Sequence, residues 1–108
     1  MSAQYVSNPE NSVEIQEEAT VSRTVLKAED VNIVVFSFDA GQELSEHTAA
    51  MPVVLQALSG EIEVTTGPET NVLTGNDVLY LPVREPHAVK ALTPAKLMLT
   101  MVTGLRAE

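Results

Sequence analysis

Pro52-Val53-Val54-Leu55-Gln56-Ala57-Leu58 is an apolar run broken only by Gln56, and after Ser59-Gly60 it gives way to Glu61-Ile62-Glu63-Val64. The first segment reads as a strand. The second alternates polar and apolar with a period of two, so one of its faces is buried and the other is wet. Ser59-Gly60 supplies the break between them. An amphipathic helix would need apolar residues at i, i+3, i+4 and i+7 behind a capping residue, and no window of the chain provides that pattern.

Working outward, the same texture recurs. Thr24-Val25-Leu26 leads into Val31-Asn32-Ile33-Val34-Val35-Phe36-Ser37-Phe38, rich in β-branched and aromatic residues and closed by Asp39-Ala40-Gly41. On the other side, Thr66-Gly67-Pro68 makes a turn, Asn71-Val72-Leu73 a short strand, and Thr74-Gly75-Asn76-Asp77 a second turn. Val78-Leu79-Tyr80-Leu81 stops at Pro82, which has no N–H to give to a ladder. Lys96 to Thr103 is a long apolar strand containing two methionines. Short strands with turn signals between them specify an all-β sandwich or barrel. Several of these strands are apolar on both faces, which calls for a second copy of the chain or some other cover on the outside. Residues 1–20 hold four glutamates and no lysine or arginine. They read as an acidic tail, loosely ordered or docking on a partner subunit, ahead of a barrel over residues 21–108.

Composition narrows the functions available. The 108 residues suffice for one domain, and 44% of them are hydrophobic, enough for a packed core. Fifteen acids oppose six bases for a net charge of −9, and the bases, from Arg23 to Arg106, are dispersed. Nucleic acid and anionic membranes would be repelled by the whole molecule. No cysteine is present, so disulfides, thiol nucleophiles and thiolate zinc sites are excluded. The chain starts without the basic and apolar segments of a signal peptide, and a cytoplasmic location is expected. No G-x-S-x-G elbow, glycine-rich phosphate loop or HExxH pair occurs.

Two stretches carry a family resemblance. Gly41-Gln42-Glu43-Leu44-Ser45-Glu46-His47, continuing to Gly60, follows the order G-x5-H-x-H-x3-4-E-x6-G. Asp77-Val78-Leu79-Tyr80-Leu81-Pro82, then Pro86-His87-Ala88-Val89, follows G-x5-P-x-G-x2-H-x3-N. Together they resemble the cupins, in particular the small single-domain members of the cupin 2 conserved-barrel type, over roughly residues 21–103. The resemblance implies a jelly-roll β-barrel, the double-stranded β-helix. It also implies a metal held by three histidines and a carboxylate. Here the second histidine position falls on Ala49, the carboxylate position on Val53, and the motif glycines on Asn76 and Arg84.

His47 and His87 are the only histidines, and both fall on ligand positions. Two imidazoles alone hold a divalent transition metal weakly, because tight sites supply three or four protein ligands. Glu43 shares strand parity with His47, so a regular strand would turn both inward as a substitute pair, while Glu46 would face away. Met51, Val53, Leu55, Met98 and Arg84 complete the expected pocket, Arg84 as a planar guanidinium able to grip a carboxylate. Gln56, opposite in parity to Val53 and Leu55, should face out. Three functions follow. The first is a small-molecule-binding barrel with a degenerate two-histidine metal site, paired as a homodimer. The second is a metal-dependent oxygenase or isomerase using His47, His87 and a substitute ligand. The third is a structural or regulatory dimer with a filled interior.

Overall fold

The computed structural model describes residues 2–105; Arg106 and the end of the expected 21–108 barrel lie outside the described residues. Among the described residues nine strands run in chain order: β1 (Thr20–Lys27), β2 (Asn32–Phe38), β3 (Glu43–His47), β4 (Val53–Ser59), β5 (Ile62–Thr66), β6 (Glu69–Leu73), β7 (Val78–Leu81), β8 (His87–Ala91) and β9 (Ala95–Met101). A 3-10 turn at Pro9–Ser12 precedes them. Among the described residues no helix is long and apolar enough to cross a membrane. The strands form a five-stranded sheet in the order β1-β2-β9-β4-β7 and a four-stranded sheet in the order β3-β8-β5-β6. Neighbours in both sheets are antiparallel, and the two close into a jelly-roll barrel.

Alternation along each strand sets the interior. Val53, Leu55 and Ala57 of β4, Ala95 and Leu97 of β9, Ile62 and Val64 of β5, and Val89 and Ala91 of β8 join one buried cluster with Phe38, Leu73 and Leu81. Each large aliphatic side chain removed from water in this way contributes about 1.5–3 kcal/mol. Phe36 stacks on Phe38 with ring centroids 5.9 Å apart and carries the cluster toward one end of the barrel.

The apolar outer face of the five-stranded sheet is covered in part by the chain's own N-terminal segment. The turn at Pro9–Ser12 lies against β1, β2 and β9. Val13 is buried, and so are Val35 and Ser37 of β2. The Ser37 hydroxyl donates to the Glu14 carbonyl at 2.9 Å, and Lys96 Nζ donates to the Glu10 carbonyl at 2.8 Å. Toward β7 the face stays open, with Val78 and Tyr80 exposed.

Two polar details fasten the frame. Asp39 closes β2 by accepting the Glu18 N–H at 2.8 Å and the Ala40 N–H at 2.9 Å. These two bonds, Glu18's first, hold its carboxyl below the usual carboxylate pKa against a smaller opposing effect of burial. Gly60 turns β4 into β5 with φ +75, and a Cβ there would sit 2.7 Å from the Ala95 Cβ and closer still to the Pro94 carbonyl.

Two outcomes are expected in unfolding experiments. Gly60→Ala combines a left-handed backbone with a backbone collision and should cost more than about 3 kcal/mol. Gly67→Ala, at φ +58 with open space around it, should cost only about 1–2 kcal/mol. Equal losses would contradict the close approach at Gly60. A carboxyl with a depressed folded pKa stabilises above its ordinary pKa, and that contribution disappears as pH falls through the folded value. Asp39→Asn should therefore flatten the fall in Tm between about pH 5 and pH 3; an unchanged slope would contradict it.

Candidate functional site

The site begins with the pairing of β3 and β8. Glu43 stands opposite Lys90, Leu44 opposite Val89, and His47 opposite His87, with the register shifting between Leu44 and His47. From the second pair to the third, β3 advances three residues and β8 advances two, so β3 carries one extra residue, a β-bulge. Leu44 packs on the core cluster and Val89 is buried. Past the bulge, His47 returns to this same inner face beside His87.

The bulge overturns the expectation for Glu43. Parity counted along a regular strand turns Glu43 inward with His47, but the extra residue reverses the count. Glu43 is exposed opposite the exposed Lys90. It lines an outer cleft of about 320 Å³ with Glu46, Glu63 and Lys90, away from the histidines. Glu46 faces outward as expected.

The two imidazoles meet edge to face, with centroids 4.2 Å apart and planes at 60°. His87 is only 3% exposed, whereas His47 stands at the lip in contact with solvent. Each ring is anchored in the same way. His47 Nδ1 lies 2.7 Å from the Ser45 carbonyl, and His87 Nδ1 lies 2.9 Å from the Glu85 carbonyl. A carbonyl oxygen can only accept, so both Nδ1 atoms carry hydrogen, and in the neutral rings both Nε2 atoms present lone pairs. That tautomer suits a ligand that donates a hydrogen bond or a metal ion.

The other two ligand positions contribute no donor. Ala49 packs against the core cluster and Val53 is part of it, 2% exposed. Among the described residues no group of three or more His, Cys, Asp or Glu side chains is placed to hold a metal. The donor set therefore does not fit the family's four-ligand centre. Phe36, Leu44 and Ser45 border His47 around a wide-open recess of about 370 Å³. Beneath it the barrel is filled, with Leu55 and Leu97 fully buried.

The remaining expected pocket residues scatter. Val53 and Leu55 lie inside, as their parity requires. Met98 does not: it pairs with Val35 and Gln56 on the outer face, while Leu97 and Leu99 take the inner one. Gln56 faces out as expected. Met51 is half-buried in the segment between β3 and β4 and does not border the recess. Arg84 is exposed in the turn before β8, and its N–H donates to the Ala49 carbonyl at 2.8 Å. Its φ of 63 and that of Asn76, 71, are left-handed. Both residues thus adopt the conformation for which the motif uses glycine, and for arginine that costs about 1–2 kcal/mol.

Sequence reasoning missed Thr66, Glu69 and Asn71, which share the strand parity of the core residues Ile62, Val64 and Leu73 in β5 and β6, although Glu69 and Asn71 are themselves exposed. The signal was present, because Ile62-Glu63-Val64 extended by two residues puts Thr66 on the buried side. The turn signal of Gly67-Pro68 masked it.

No protein-family model matches the sequence, and no curated protein matches it. Solved structures do match over nearly the whole chain. A conserved protein of unknown function from Streptococcus pyogenes is 29% identical with TM-score 0.83, covering 95% of this chain and 90% of that one. An RmlC-like cupin protein from Desulfovibrio desulfuricans is also 29% identical, with TM-score 0.82, over 94% of this chain and 98% of that one. A cupin 2 conserved barrel domain protein from Leptotrichia buccalis is 28% identical with TM-score 0.80, over 86% of this chain and 45% of the other. The resemblance expected from the two motifs is borne out.

Ala49→His restores a third imidazole to the ligand set. It should tighten Ni²⁺ binding, measured by calorimetry, at least about tenfold over the parent protein. Unchanged affinity would mean that position 49 does not face the histidine pair.

Proposed function

This chain is a small single-domain cupin, and from that premise we propose that it binds a small organic ligand at the barrel mouth, over His47 and His87. The observation that carries this reading is the anchored histidine pair. Each Nδ1 is tied to the carbonyl two residues earlier, so each neutral ring offers Nε2 as an acceptor. One of these rings is almost wholly buried. A ligand that donates a hydrogen bond at the mouth would meet these acceptors. Phe36 and Leu44 beside the pair supply apolar contact for the body of such a ligand.

The metal-enzyme reading is less well supported. Ala49 and Val53 have exchanged two donors for packing, and Glu43, the substitute the sequence offered, lies on the outer face. The packed interior agrees with a ligand seated at the mouth rather than deep in the barrel.

The test combines elemental analysis of untagged protein, after addition of manganese, iron, nickel, copper and zinc, with a thermal-shift screen of small acids, sugars and amines. The expected result is no stoichiometric metal and at least one compound that raises Tm. At about 100 times its Kd, such a compound stabilises the fold by about 2.7 kcal/mol. His47→Ala and His87→Ala should each weaken its binding at least about tenfold, through the loss of one hydrogen bond from each ring. A stoichiometric metal lost in both variants would overturn the reading in favour of a metal-dependent cupin.

A further inference from the structure

We infer that the mouth extends past the histidines into a row of acceptors, His47–His87–Thr66–Glu69, whose ligand is a small organic amine bearing hydroxyl groups. This deepens the proposed function and rests on it. The row follows from strand register. In the four-stranded sheet Val64 pairs with Val89 and Thr65 with Ala88, so the next residue, Thr66, comes beside His87. Thr66 in turn pairs with Glu69, and Val64 with Asn71. Ile62 and Val64 belong to the core cluster, so by alternation Thr66 shares their inner face. Residues directly opposite in a ladder share a face, which places Glu69 and Asn71 there as well. Thr65 and Thr70 occupy the outer face, where their hydroxyls lie 3.3 Å apart.

A cleft of about 370 Å³ opens at this end of the row, between the edge strands β6 and β7. Thr66, Glu69, Asn71, Tyr80 and Glu85 are among the residues that line it. Glu85 couples it to the pair, because its carbonyl is the anchor of His87 Nδ1. Among the described residues no side chain pairs with the carboxylate of Glu69 or Glu85. The exposed ring of Tyr80 adds a face to which an ammonium group is attracted.

The chemistry of this wall is one-sided. Two Nε2 lone pairs and two carboxylates accept hydrogen bonds, and the hydroxyl of Thr66 can accept one too. A ligand that fits must donate, and at the Glu69 end it is best positively charged. An anionic ligand would meet the carboxylates with no lysine or arginine among the residues that line the cleft, in a chain of net charge −9. His87 and Glu69 stand two inter-strand steps apart, roughly 10 Å between backbones, and with side chains on both sides that gap suits a molecule the size of one sugar ring.

Three probes of one size separate the alternatives: D-glucosamine, D-glucose and D-glucuronate. Binding is measured by calorimetry and by amide and imidazole NMR shifts, on the parent chain, Glu69→Gln, Thr66→Val and His47→Ala. The expected order is glucosamine at least tenfold tighter than glucose, with glucuronate weakest. Glu69→Gln should erase the preference for the amine while leaving Tm unchanged, since Glu69 is exposed. Thr66→Val should weaken glucosamine and glucose alike, and His47→Ala should weaken all three. Glucuronate binding best, or Glu69→Gln retaining the amine preference, would overturn this inference and leave the histidine-centred reading standing. If no probe shifts the imidazole resonances of His47 or His87, this inference falls, and the wider thermal-shift screen decides the reading on which it rests.

Discussion

Between Leu44 and His47 the backbone of β3 advances three residues while β8 advances two, and the composition of the barrel mouth depends on that difference. Without the extra residue, Leu44 opposite Val89 would put His47 on the outer face, and an inner His87 would have no partner. With it, both imidazoles lie on the inner face with centroids 4.2 Å apart, and the carboxylate of Glu43 is left outside opposite Lys90. Bulges recur next to functional sites because they re-aim one side chain without disturbing the ladder on either side. Here the ladder continues undisturbed through Leu44 and Glu43, so the core contact and the histidine pair coexist on one short strand.

How much of this could be read beforehand depended on whether a residue's face was written in local periodicity. The strand at Pro52–Leu58 and the alternation at Glu61–Val64 are strong signals, and β4 and β5 form where they predict. Gln56 faces out and Val53 and Leu55 face in, because a lone polar residue in an apolar strand marks the wet side. Met98 carries no such mark. It lies among Leu97, Leu99 and Met101, all apolar, so only its pairing with Gln56 and Val35 shows that it faces outward. Glu43 was misplaced for a different reason: a bulge adds a residue without changing composition, and parity counted across it comes out reversed. The cover on the outer face was hidden again differently. A single apolar residue, Val13, buries itself among glutamates, and the rest of that segment is held by backbone carbonyls that accept from Ser37 and Lys96.

The departures from the family motif fall into two kinds with different physical consequences. Asn76 and Arg84 replace glycine yet keep its left-handed backbone. The turns therefore survive at a modest conformational cost, and the Arg84 N–H still donates to Ala49. Ala49 and Val53 replace donors with hydrocarbon. Both now pack against the core, where a carboxylate without a metal would cost several kcal/mol. The first kind preserves the frame. The second leaves half of the family's coordination sphere without donors and fills the space with hydrocarbon, so building the four-ligand centre here would require repacking as well as new ligands.

What the change leaves behind is a pair of rings with a fixed sense of polarity. Anchoring Nδ1 to a carbonyl two residues earlier is the arrangement that orients a metal ligand, since it directs Nε2 at the ion. That anchor is a property of the backbone, made by Ser45 and Glu85, and it does not depend on Ala49 or Val53. With Ala49 and Val53 at the other two positions, the same anchors leave two Nε2 atoms able to accept hydrogen bonds in the neutral rings. Thr66 and Glu69 pair in register on β5 and β6, and Phe36 and Leu44 border the recess at His47. The anchors therefore matter more than the missing donors: they fix which ring atom meets a ligand, whether that ligand is a metal ion or a hydrogen-bond donor.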